Sequence, residues 1–212
     1  MDLYIKYLLI GFAVALPIGA ITVEMIKQGL KNGFIHGWAV GLGGILIDFL
    51  LILALYFGLA SILSLPYIQI PLWIIGAIFL IFLGYDSIKN ADKDITLSGE
   101  KTPKSFWKTY RNGILVAISP ANFVFWISIF GTVLSDSYHT NGSYSFIFAA
   151  LGILSGIILH DIGLLSIVAL TRKVMSRTMI KWISVGAGFL LFGFAGYFIY
   201  QFVIDMSKYI SF

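Results

Sequence analysis

Apolar runs long enough to cross a bilayer recur along this chain, at about 3–26, 36–63, 68–88, 111–134, 144–170 and 182–205. A membrane-spanning helix needs roughly 20 consecutive apolar residues. With 59% hydrophobic and only 11% charged residues, the chain could not cover itself as a soluble domain. The expected fold class is therefore all-α: a polytopic membrane protein with six transmembrane helices. The N-terminal "MDLYIKYLLIGFAVALP" has no clear basic segment and no small-residue cleavage site, so it reads as a retained first span rather than a signal peptide. Cysteine is absent, which removes disulfides, thiol redox chemistry and thiolate metal sites.

Lys and Arg orient such a bundle, because they concentrate in short cytoplasmic loops. The joint after the first span carries Lys27 and Lys31. The central loop and its flanks carry Lys89, Lys93, Lys101, Lys104, Lys108 and Arg111. The joint after the fifth span carries Arg172, Lys173, Arg177 and Lys181, which leaves only Lys6 and Lys208 for the other side. Both termini are expected outside the cell, and the net charge of +4 becomes a topology signal rather than a nucleic-acid site. The central loop could touch anionic lipid.

The two halves of the chain resemble each other. Gly76 opens "GAIFLIF" and Gly186 opens "GAGFLLF"; Gly11 opens "GFAVALP" and Gly113 opens "GILVAISP"; "GILID" ends at Asp48 and "GIILHD" at Asp161. Three matches in the same order suggest a duplication. Residues 1–88 form one three-helix repeat, 89–110 a cytoplasmic linker and 111–212 the second repeat. An odd number of spans per half inverts the second half, the architecture of many secondary transporters. Pro17 and Pro120 then break spans one and four at similar depth. The backbone groups that a proline frees are costly in hydrocarbon unless they face protein or a water-filled cavity. One proline alone could simply kink a helix for packing; the symmetric pair, beside acidic residues, points to a shared polar cavity.

Asp48 and Asp161 fall deep within spans two and five, where a carboxylate costs about 2.5–3.5 kcal/mol even on the lenient insertion scale. Desolvation disfavours the charged form of a carboxyl, the property a proton-coupled carrier uses. His160 adds a group that titrates near neutrality, although adjacent helix positions point about 100° apart and do not simply pair. The competing reading of these residues is structural: capped carboxylates joining helices, and a satisfied core histidine. Glu24, one turn from the cytoplasmic end and three residues before Lys27, is either a gate or interfacial ion pair or a binding residue. Asn122 is either a ligand contact or a helix cap. The scattered histidines and the absence of H-E-x-x-H, G-x-S-x-G and Walker-type motifs argue against a dedicated transition-metal exporter, an enzyme and an ATP-driven pump. No cofactor is expected.

At these residues the chain resembles the lysine-exporter (LysE/RhtB-type) translocator family. The resemblance rests on "PIGA" in span one, "KQGLKNGFIHGWAVGLGGILIDFLLILALYFGLA" from Lys27, "LGYDSIK" ending span three and "SPANFVFW" in span four. Where the family usually has P-G-P this chain has Pro17-Ile18-Gly19, and where it has N-P this chain has Ser119-Pro120. The resemblance implies a role for Pro17, Asp48 and Pro120 in a translocation site. It implies export of amino acids or related small polar metabolites across the cytoplasmic membrane, driven by an ion gradient; the two membrane-embedded carboxyls make a proton the expected coupling ion. Glu24, His160 and Asp161 rest on the residues alone. A divalent-metal exporter of the same superfamily, a passive channel and a non-transporting scaffold are the alternatives. Homo-oligomer formation stays open.

Overall fold

The computed structural model describes residues 2–16, 19–58, 66–92, 105–118 and 120–210, the stretch 120–143 by its backbone alone. Seven helices form among the described residues: α1 (Asp2–Ala15), α2 (Ala20–Asn32), α3 (Phe34–Tyr56), α4 (Pro66–Lys89), α5 (Phe106–Ala117), α6 (Pro120–Arg172) and α7 (Arg177–Ile210). Phe34–Tyr56, Tyr144–Arg172 and Arg177–Ser207 are each long and apolar enough to cross a membrane. A fourth such unit is α1 with α2, bent by 78°.

The expected first span at 3–26 is thus two helices. The chain leaves α1 at Leu16 and re-enters helix after Gly19, whose backbone is extended (φ −109°, ψ −177°). The expected fourth span, at 111–134, is broken too: α5 ends at Ala117, Ile118 is non-helical (ψ 61°), and Pro120 opens α6. Proline suits a first helical position because the N–H it lacks would find no intrahelical partner there. The joint expected at 135–143 is helical instead, within α6.

Glycine crossings set the helix pairing. A Cβ on Gly11 would collide with the Ile153 carbonyl, and one on Gly156 with the Leu8 carbonyl, so α1 lies backbone to backbone on α6. A Cβ on Gly113 would collide with the Val40 carbonyl, and one on Gly43 would stand 2.6 Å from Tyr110 O, so α3 lies equally close on α5. Small residues permit this contact, which dispersion and packing then hold together in lipid. Tyr4 meets Gly152 and Phe12 meets His160, so α1 runs parallel to that part of α6. His36 meets Thr109 and Val40 meets Gly113, so α3 runs parallel to α5. By contrast α4 and α7 are antiparallel: Trp73 donates to Asp205 Oδ2 at 3.0 Å, and Ser87 to Ser184 O at 3.0 Å. The 144–172 part of α6 also runs against α3, from Phe146 beside Tyr56 to Leu165 beside Gly37. The chain therefore turns back between Ala117 and Tyr144, a stretch helical from Pro120 on.

The short arm α2 is the most enclosed, with Val23 to Met25 and Lys27 to Asn32 all buried. The interior helix α2 packs on α3, α5, α6 and α7. Val23 joins the apolar cluster of Trp73, Ala77, Leu80 and Leu191; Leu30 meets Val168 and Ile180; Met25 meets Val40 and Leu165. Outward faces carry Ile75, Ile78, Phe82, Leu151, Phe189 and Leu190, all exposed, as lipid contact requires.

Candidate functional site

A cluster of polar links between helices gathers at one end, opposite the Trp73–Asp205 bond. Lys31 Nζ donates to Asn90 O at 2.6 Å, His36 Nδ1 lies 3.1 Å from Thr109 Oγ1, and Arg172 Nε donates to Leu30 O at 2.9 Å. Lys181 reaches Asp92 at 3.9 Å. The ends of α2, α4 and α6 and the starts of α3, α5 and α7 therefore share one face of the bundle. From that face α2 has 13 residues and α5 has 12, so each break lies about 20 Å inward at 1.5 Å per residue. That is over half of a roughly 30 Å hydrocarbon core.

Arg172 also serves the fold. It binds a carbonyl in the last turn of α2, where a cation complements the helix dipole. Arg172→Gln is expected to cost about 1 kcal/mol of stability, read as a lower thermal midpoint in detergent.

Asp48 and Asp161 are both buried, at 6% and 7% exposure. Asp161 Oδ2 faces Gly41, where an added Cβ would stand 3.1 Å away, with the Met25 thioether against the same point. On α2 and α3 the antiparallel register runs Gly29 to Gly37, Met25 to Gly41 and Ile21 to Gly44. Extended by one turn, it brings Asp48 level with the break between Leu16 and Gly19. Asp48 lies seven residues past Gly41, about 10 Å further along the same face of α3. One seam of α3 thus meets both acids, its own Asp48 level with the break and Asp161 of α6 below it.

His160 and Asp161 do pair, with Nδ1 3.1 Å from Oδ1. Their side chains bridge the angle between adjacent helix positions, while Phe12 packs edge-on against the imidazole at 5.7 Å. Pro17 lies outside the described residues. Pro120 is placed by its backbone as the first residue of α6, and the side chains of Pro120 and Asn122 lie outside those described.

Glu24 does pair with Lys27, three residues on, but not at an exposed interface: with Lys31, which the sequence assigns to the joint after the first span, both are buried within α2. Glu24 is 0% exposed and ion-paired with Lys27, itself only 3% exposed. Gln28 Nε2 donates to Glu24 Oε1 at 2.6 Å, and Asn32 Nδ2 to Gln28 Oε1 at 2.9 Å. This ladder repeats every four residues, so 24, 28 and 32 were visible as one polar helix stripe. Lysines ordinarily cluster in cytoplasmic loops near span ends, so Lys27 and Lys31 mask this stripe in the sequence. Among the described residues no three His, Asp or Glu side chains gather to hold a metal ion.

The sequence model of the LysE type translocator family matches residues 12–202. The chain belongs to the LysE-type translocator family. This LysE-type chain is similar, at 29% identity, to the Bacillus subtilis (strain 168) protein named "Putative amino acid efflux protein YcgF", over 95% of its own length and 97% of the relative's. It is also 29% identical to the Pseudomonas aeruginosa chemotactic transduction protein ChpE, over 92% of its length and 97% of that protein's. No solved structure gives a significant match to this translocator.

Proposed function

We propose that the chain is a six-span secondary transporter of the cell membrane. It exports amino acids or related small polar metabolites and couples export to an ion gradient, with a proton as the coupling ion. The observation that carries this reading is the polar interior of α2. A helix bearing Glu24, Lys27, Gln28 and Asn32 lies enclosed by α3, α5, α6 and α7, directly below a backbone break with which the α2–α3 register places Asp48 level. A scaffold has no need of charged groups at that depth, where each is costly.

The arrangement as two inverted triplets draws support from the helix pairing. Exchanging the halves turns the crossing of spans one and five into the crossing of spans four and two. The glycines that make those crossings are Gly11 with Gly156 and Gly113 with Gly43: Gly11, Gly113 and Gly156 open matched segments, and Gly43, one residue before its segment, lies five residues before Asp48 as Gly156 does before Asp161. Parallel pairs one–five and two–four and an antiparallel pair three–six also fit six alternating crossings. The halves rock about the two breaks, exposing the Asp48–Asp161 seam to each side in turn, and protonation of these acids couples that motion to the gradient.

The test is flux in proteoliposomes under an imposed pH gradient. Wild type is expected to move a labelled amino acid, whereas Asp48→Asn and Asp161→Asn lose gradient-driven flux to near background. Undiminished coupled transport by both variants would refute the coupling role. Sidedness has a convenient probe, since the chain is free of cysteine. With both termini outside, Ser98→Cys is labelled by an impermeant maleimide only after the membrane is opened, and Ser207→Cys in intact cells. The reverse pattern inverts the topology.

A further inference from the structure

We propose that the Glu24–Lys27 pair is a clamp for the two charged ends of a zwitterion, so the transporter selects solutes with one ammonium, one carboxylate and no net charge. The inference rests on the export reading above and adds to it a site and a charge rule. Glu24 and Lys27 stand one helical turn apart on α2, paired with each other and closed from solvent. Beyond that pairing, neither Glu24 Oε2 nor Lys27 Nζ has a hydrogen-bond partner among the described residues. An ammonium carries three donors and a carboxylate about four acceptor positions, so both groups keep unused capacity. Gln28, itself held by Asn32, secures the other Glu24 oxygen and aims the carboxylate.

The register of α2 shows where the pair faces. Met25 and Gly29 turn toward α3 and α6, and Val23, Ile26 and Leu30 turn toward α4, α6 and α7. Glu24, Lys27 and Gln28 occupy the remaining arc, shared with Lys31; it faces α5, the arm that precedes the second break, and, near the C-terminal end of α2, the end of α4 at Asn90. The pair therefore lies between the two interrupted helices.

An α-amino acid carries its ammonium and carboxylate on one carbon. Laid across the pair, its ammonium meets Glu24 and its carboxylate meets Lys27. One internal ion pair is exchanged for two charge-assisted contacts, and the buried charge stays at zero. A monocation or monoanion at the same place leaves one buried charge uncompensated, which a dry interior penalises heavily. Glu24 and Lys27 thus set a net-charge filter, separate from the Asp48–Asp161 seam that carries coupling.

The test uses the full chain in nanodiscs, with thermal midpoints and equilibrium binding measured for alanine, leucine, serine, lysine and glutamate. Each of the neutral three is also offered as its methyl ester, which lacks the carboxylate, and its N-acetyl form, which lacks the ammonium. In wild type at least one neutral amino acid binds, and its ester and N-acetyl forms bind at least tenfold more weakly. Glu24→Gln leaves Lys27 alone and shifts preference to the N-acetyl anion; Lys27→Gln shifts it to the ester cation. In each case the favoured ion raises the midpoint of the destabilised variant, because a ligand that binds only the folded form stabilises it. The double variant Glu24→Gln/Lys27→Gln keeps its fold and loses zwitterion binding at least tenfold. Binding by the double variant within twofold of wild type, or single variants with unchanged preference, overturns the clamp and leaves the export reading intact. A wild type that binds and transports only cations also overturns it; absence of all flux removes the export reading as well.

Discussion

Lys27→Met is expected to be among the most destabilising single substitutions in this protein, at about 3–5 kcal/mol, the usual cost of breaking a buried ion pair from one side. The physical reason lies in what remains. Glu24 is fully enclosed, and among the described residues only Gln28 would still bond its carboxylate. Glu24→Gln should cost nearly as much, since it strands the ammonium of Lys27. The double variant Glu24→Gln/Lys27→Met is expected to recover most of the loss, because it removes both charges and keeps an amide that can bond Gln28. Tryptophan fluorescence during thermal unfolding in detergent would measure this. Single variants as stable as wild type would mean that the pair is wet and α2 is a surface arm. Such a result would also remove the basis for a charge filter.

The second large effect concerns the glycine crossings. Gly156→Ala and Gly113→Ala each place a methyl group against backbone, the first on Leu8 O and Phe12 N and the second on Val40 O. Backbone in a packed helix cannot swing aside as a side chain can, so relief requires the helices to part along their length. The cost is expected at the upper end of the overpacking range, about 3 kcal/mol. Gly193, Gly196 and Gly163 provide the control, since each has open space where a Cβ would go. Alanine there should be neutral, or stabilising by roughly 0.5–1 kcal/mol through helix propensity. Monodispersity on size-exclusion chromatography, together with thermal midpoints, separates the two groups. Equal tolerance at both sets would contradict the close crossings of α1 on α6 and α3 on α5.

Much of the site was legible before any coordinates. Interruptions near Pro17 and Pro120 follow from proline chemistry alone, and helix does stop at Ala15 and at Ala117. The burial of Asp48 and Asp161 follows from their positions within apolar runs. The pairing of His160 with Asp161 did not follow, because side-chain torsions rather than helix register decide it. Nor did the interior place of α2. A short stretch such as "EMIKQGLKN" has the composition of a solvated joint, and only its neighbours reveal that it is enclosed.

The sequence by itself determined the solvent, the class and the punctuation of this protein: lipid, helices, and breaks at two prolines. Those properties depend on run length and local backbone chemistry, which a linear string contains. Tertiary structure alone decided which polar residues face inward. Whether a lysine meets water or a glutamate depends on the helices packed around it, and residues far apart in the chain supply those helices.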